Sequence, residues 1–252
     1  MVQLKPLLAH CDALLAVERF KDYAPNGLQV EGRNEVRRIV SGVTASLALI
    51  DAAIEAEADL LLVHHGWFWK GEPSTLSGWR RTRMARLLGA GLSLVGYHLP
   101  LDAHPQLGNN ARLGEQLGLI ETGRLATPSP GLEVWCGRLP QAESPAALSA
   151  RIDRALGRTP LHIAGGPAQI ETVAWCSGGA QGYIELAADA GVDAYLSGEV
   201  SEPTVHIARE AGLHYFACGH HATERGGVAA LGDHLARHFG LEHRFIDLPH
   251  PV

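Results

Sequence analysis

The chain has 252 residues, of which 46% are hydrophobic and 19% charged, and a formal net charge of -6. This make-up suits a globular protein of one large or two small domains, and its acidic balance supplies no global drive towards nucleic acid. The N-terminal stretch carries Asp12, Glu18 and Arg19 without a small-residue cleavage site, and no apolar run approaches membrane-spanning length, so a cytoplasmic protein without membrane contact is expected. Cys11, Cys136, Cys176 and Cys218 are widely spaced with no CxxC pair, which suggests neither a zinc ribbon nor a disulfide framework. The unusual feature is histidine, at 14 residues.

The apolar spacing of Leu7, Leu8, Leu14, Leu15 and Val17 predicts a helix over about 3–19, closed by the turn residues Pro25, Asn26 and Gly27. Arg38 to Thr44 reads as a strand, Ser46 to Glu57 as a helix and Asp59 to Val63 as a strand, together a βαβ unit with a right-handed crossover. That last strand ends on His64, His65 and a glycine, at the place where open α/β sheets bind ligands. An aromatic, glycine-rich stretch follows. It leads into a helix carrying Arg80, Arg81, Arg83 and Arg86, then a strand from Leu92 to Tyr97 that ends on His98, with Asp102 four residues on.

Residues 127–131, TPSPG, are the expected linker between an N-terminal domain, 1–126, and a C-terminal domain, 132–252. The second domain continues the alternation of strands and helices. The expected fold is two similar α/β domains with mixed, largely parallel sheets and a metal site in the cleft between them.

The two halves echo each other. RIVSGVTASLALIDAAIEAEADLLLVHHG aligns with TVAWCSGGAQGYIELAADAGVDAYLSGEV, which sets His64 and His65 opposite Gly198 and Glu199. LSLVGYHLPLD aligns with HYFACGHHATE, which sets His98 and Asp102 opposite His220 and Glu224. His64, His65, Asp102, His220 and Glu224 are thus candidate metal ligands, with His98 nearby. Mixed imidazole and carboxylate donors suit iron, zinc or manganese, and a shared carboxylate allows two ions roughly 3.5–4 Å apart. His104 and His221 are candidates for orienting the ligands. The other histidines, His10, His234, His238 and His243 among them, read as ordinary helix-face or strand-end residues without a usefully spaced carboxylate.

At HHGWFWKGE, YHLPLDAHPQLGNN, SGEVSE and GHHATERGG, with DYAPNGLQVEG upstream, the sequence closely resembles the short bacterial form of the NIF-three-like (YbgI/YqfO) family, whose members are often called GTP cyclohydrolase I type 2 homologues. The resemblance implies that His64, His65, Asp102, His220 and Glu224 bind two divalent ions, with Glu224 as the bridge. It also implies a toroidal homohexamer, a trimer of dimers, with the metal sites facing its cavity. The function expected is metal-dependent hydrolysis of a nucleotide, with ring opening and formate release, His98 serving as catalytic acid or base and the RRTRMAR arginines binding phosphate. Phosphoester hydrolysis of a nucleotide, or a non-enzymatic ring scaffold or metal-handling role, are the alternatives, and nucleic acid is not an expected partner.

Overall fold

A computed structural model of the chain describes residues 1–252. Its first elements are β1 (Val2–Gln3), α1 (Leu4–Leu14), β2 (Gly27–Val30), β3 (Glu35–Val36), β4 (Arg38–Thr44), α2 (Leu47–Glu55), β5 (Leu60–His65), α3 (Gly78–Gly89), β6 (Ser93–Gly96) and α4 (Leu99–Ala103). They are followed by α5 (Asn109–Gln116), β7 (Ile120–Ala126), β8 (Glu133–Glu143), α6 (Pro145–Leu156), β9 (Leu161–Ile163) and β10 (Ile170–Cys176). The chain ends with α7 (Ile184–Asp189), β11 (Ala194–Ser197), α8 (Glu202–Glu210), β12 (His214–Ala217), α9 (His220–Phe239) and β13 (Glu242–Phe245).

Two compact units result. One comprises Met1–Gly108 and Gly227–Pro249, the other Asn109–Gly226 and His250–Val252. The 127–131 stretch, expected as a linker, turns the hairpin between β7 and β8, whose strands pair Ala126 with Glu133. The C-terminal strand β13 belongs to the first unit because it pairs in parallel with β4 and extends that sheet.

The sheet of the first unit runs β13-β4-β5-β6-β2. Its first four strands are parallel and β2 is an antiparallel edge. Leu60 to Val63 are fully buried, as a strand covered on both faces must be. One face packs Leu7 and Cys11 of α1 and Val228, Leu231 and Leu235 of α9, and the other packs Leu49, Ile50 and Ala53 of α2 and Leu87 of α3. In the second unit the sheet runs β7-β8-β10-β11-β12-β9. Here β10, β11 and β12 are parallel and the flanking strands antiparallel. Its core joins Trp175, Leu196 and Phe216 of the sheet to Leu113 of α5 and Ile152 of α6.

Local chemistry explains where the helices begin. Ser46 caps α2 by accepting from the Leu49 N–H at 3.2 Å, and Ser144 caps α6 by accepting from Ala147, with Pro145 preset at the first helical position. The internal echo extends to a carboxylate clamp. Asp59 accepts the N–H groups of Arg37 and Arg38 at 2.9 and 3.1 Å where β4 begins, and Asp193 accepts those of Glu171 and Thr172 at 2.9 and 2.8 Å near the start of β10.

Candidate metal centre

In the first unit the parallel register brings β5 and β6 to the same sheet edge, Val63 opposite Gly96, so that His64, His65 and His98 leave the strand ends together. His64 is 1% exposed, and its Nδ1 lies 2.9 Å from the carbonyl oxygen of Tyr97. A carbonyl only accepts, so Nδ1 carries the proton and Nε2 presents its lone pair. That Nε2 stands 3.5 Å from a carboxylate oxygen of Asp102. His65 is half-buried, its Nδ1 3.3 Å from the Thr44 hydroxyl. The ring centroids of His64, His65 and His98 lie 4.5–5.7 Å from one another. A ligating atom from each ring falls within 4.8 Å of those of the other two.

His98 is positioned by residues that sequence reasoning placed only in a turn. Its Nδ1 lies 2.7 Å from Asp22, its N–H donates to the Asn26 side chain at 2.7 Å, and Asp22 also accepts the Leu99 N–H at 2.9 Å. Burial works to raise the Asp22 carboxyl, but the bonds from His98, Asn26 and Leu99 outweigh it and hold the group down to about 2. A carboxylate on one nitrogen leaves the other nitrogen of His98 to bind a cation or carry a proton.

Gly66, just after the histidine pair, lies close against the end of the Gln29 side chain. A Cβ there would stand 2.1 Å from the Gln29 side chain, which accepts the Trp67 N–H at 2.6 Å. Beyond it Trp67, Phe68, Trp69 and Trp79, with Arg80 and Arg83 of α3, line a cavity of about 250 Å³ that has His65 in its wall. The guanidinium carbons of Arg80 and Arg83 sit 4.2 and 4.6 Å from the Trp79 ring centroid, while Arg86 turns away to pair with Asp51 at 2.6 Å.

In the second unit His220 opens α9 and Glu224 follows one turn later on the same face, with Nε2 of His220 3.2 Å from the Glu224 carboxylate. Nδ1 of His220 lies 2.7 Å from Glu199, at the position that echoes the histidine pair of the first unit. Burial alone would lower the His220 imidazole, and the carboxylates of Glu224 and Glu199 more than offset it, raising the group to about 9. This surrounding favours a cation beside Glu224, which is 3% exposed. Gly178, at φ +66, makes room: a Cβ would meet a Glu224 oxygen at 2.1 Å.

Each unit therefore assembles its own share of the expected donors. His64, His65, Asp102 and His98 come together in the first, and His220 and Glu224 in the second. Imidazole nitrogens grouped with buried carboxylates are the donors a divalent transition ion takes, so the residues fit the implied metal. Asp22 and Glu199 were missed as positioning groups. His104 uses its Nδ1 to accept the N–H groups of Gln106 and Leu107 at 3.2 and 3.0 Å, and its imidazole is lowered by burial and then by His234. His221 stacks on His250 with ring centroids 5.7 Å apart. His243, expected to lack a carboxylate, has Asp233 at 2.7 Å because both are close in the fold.

The chain matches the Duf34/NIF3 (NGG1p interacting factor 3) family over residues 2–251. It is 56% identical over 252 residues to a protein of Allochromatium vinosum named "GTP cyclohydrolase 1 type 2 homolog", covering 100% of this chain and 98% of that one. A Pseudomonas aeruginosa protein of the same name is 55% identical, covering 100% and 99%. Among solved structures, one titled "protein ybgI, unknown function" superposes with a TM-score of 0.96 at 47% identity and covers 100% of both chains. No helix of the chain is long and apolar enough to cross a membrane.

Proposed function

The chain belongs to the Duf34/NIF3 family, and from that membership and its two donor sets we propose that it is a dinuclear metal-dependent hydrolase acting on a nucleotide. His64, His65, Asp102, His220 and Glu224 would hold two divalent ions, iron, zinc or manganese. When bound, such ions supply Lewis acidity and a water acidic enough to ionise near neutral pH. A homohexamer is part of the proposal and is read by light scattering.

The observation that carries the substrate class is the aromatic cavity with donor residue His65 in its wall. Indole faces stack on a planar base, and arginines recognise phosphate through planar, multidentate hydrogen bonding. Arg80 suits this task because its buried Nε has no hydrogen-bond partner, so an acceptor on a ligand would satisfy it. The name carried by the relatives points to GTP, with one water adding at C8 of the purine to open the imidazole ring as a formamide and a second water hydrolysing that formamide so that formate leaves. His98, its Nδ1 tied to Asp22, is the residue suited to move the proton, taking it from water and returning it to a ring nitrogen.

The test is product analysis with metal-loaded protein and a nucleotide panel headed by GTP. Formate release that is lost in His98→Ala supports the reading, and phosphate without formate would redirect it to phosphoester hydrolysis. Neither product from fully metal-loaded protein would overturn the hydrolase.

A further inference from the structure

A second histidine cluster stands apart from both donor sets. His10 comes from α1, while His234 and His238 are one turn apart on α9, a spacing that puts both on one helix face. The Nε2 atoms of His10 and His234 are 2.9 Å apart, and the ring of His10 lies 5.2 Å from that of His234 and 4.1 Å from that of His238. One ligating nitrogen from each of the three falls within 4.8 Å of the others. The cluster shares no residue with the proposed dinuclear centre, and its α9 members His234 and His238 lie about three and about four helical turns beyond Glu224.

The plainest account of stacked histidines is helix packing, and Phe239 does seat its edge against His10 and His238. Packing alone does not explain two Nε2 atoms facing each other. At 2.9 Å one imidazole must donate its only Nε2 proton to the other, so a single proton sits where two lone pairs could converge. Two nitrogens bound tetrahedrally at Zn–N distances of about 2.0–2.1 Å stand about 3.3 Å apart, so a small opening of this pair admits an ion. His238 is exposed, leaving a solvent side for entry and for a water to complete the coordination.

We propose that His10, His234 and His238 form a separate mononuclear site for a borderline transition ion of the zinc class. The set contains no carboxylate, so it discriminates against magnesium and calcium, which take oxygen ligands. Burial, and then repulsion from neighbouring imidazoles, holds His10 and His234 below the ordinary imidazole value, with Arg237 adding to the effect on His234. Their lone pairs are thus available at neutral pH. Bound there, the ion would tie the first helix of the chain to its last one within the first unit, and such an ion stabilises the folded state that holds it.

The experiment is a Zn²⁺ titration by calorimetry, with thermal unfolding beside it, on the full chain carrying His65→Ala and Glu224→Ala, so that the dinuclear centre is crippled. One equivalent of Zn²⁺ with a raised Tm is expected, and both should disappear when His10→Ala or His238→Ala is added. His238 is exposed, so its replacement leaves the metal-free Tm within a degree or two and keeps the test valid if His10→Ala folds poorly. An unchanged Zn²⁺ stoichiometry and Tm response in the His238→Ala chain would overturn the site. Absence of Zn²⁺ binding in the parent chain would do the same.

Discussion

The two donor sets are reached by the same chain path but differ in their balance of imidazole and carboxylate. In each unit three parallel strands end at a corner, and the third delivers a histidine at a helix start with a carboxylate four residues on: His98 and Asp102 before and on α4, His220 and Glu224 on α9. In the first unit the imidazole partners are other imidazoles, a backbone carbonyl and two buried carboxylates, Asp22 beside His98 and Asp102 beside His64. In the second a single imidazole lies between two carboxylates, Glu199 and Glu224. A repeated scaffold thus fixes positions, while the residues at those positions divide the labour. The first unit clusters three imidazoles around Asp102, and the second sets one imidazole between two carboxylates.

Changes at the corners separate the two regions, and Gly178→Ala should act most strongly. Its φ of +66 is strained for alanine by about 1–3 kcal/mol, and its methyl would displace the Glu224 carboxylate. Chemical denaturation should show that loss, and elemental analysis should show a fall in bound metal. Asp22→Asn should lower activity about 10–100-fold by releasing His98, with a shifted pH profile and a lowered Tm, because the ionised carboxylate is held by His98, Asn26 and Leu99. An unchanged pH profile would mean that Asp22 is structural only. Gly66→Ala should be mildest at a corner, because the Gln29 amide it meets ends a flexible side chain.

The smallest effect is a pair of opposite pH responses in metal-free protein. His10 and His234 are lowered in the folded chain, so the unfolded chain binds more protons. Their contribution is present above about pH 6.5 and is lost as pH falls through the lowered folded values. His220 is raised to about 9, so its contribution is fully present below about 6.5 and is lost as pH rises through 9. Hydrogen exchange, corrected for intrinsic rate, should show α1 loosening in acid and the first turn of α9 loosening in base. The same response at both places would contradict the comparison.

Much of this was legible in the sequence where the signal is local. The buried run Leu60 to Val63 ending on two histidines, the helix and strand that precede it and the repeated spacing of four between histidine and carboxylate all appear where expected. Helix α9 begins at His220 and runs through the paired glycines Gly226 and Gly227, which in sequence read as a break. Gly226 is needed for close approach, since a Cβ there would meet Arg112 at 2.7 Å. Asp22 was illegible because its partner His98 lies 76 residues away, and His10 because His234 lies 224 residues away. Such pairs are set by topology, which periodicity does not encode. Strand β7 is exposed along most of its length and lacks the apolar alternation that announces a strand.

The central claim is that His64, His65, Asp102, His220 and Glu224 are metal ligands. It is tested most directly by elemental analysis of chain purified without chelator, carrying His238→Ala so that the second cluster does not contribute. About two ions per chain are predicted, falling when His64→Ala of the first unit or Glu224→Ala of the second is added. Metal content indifferent to either substitution would contradict the account.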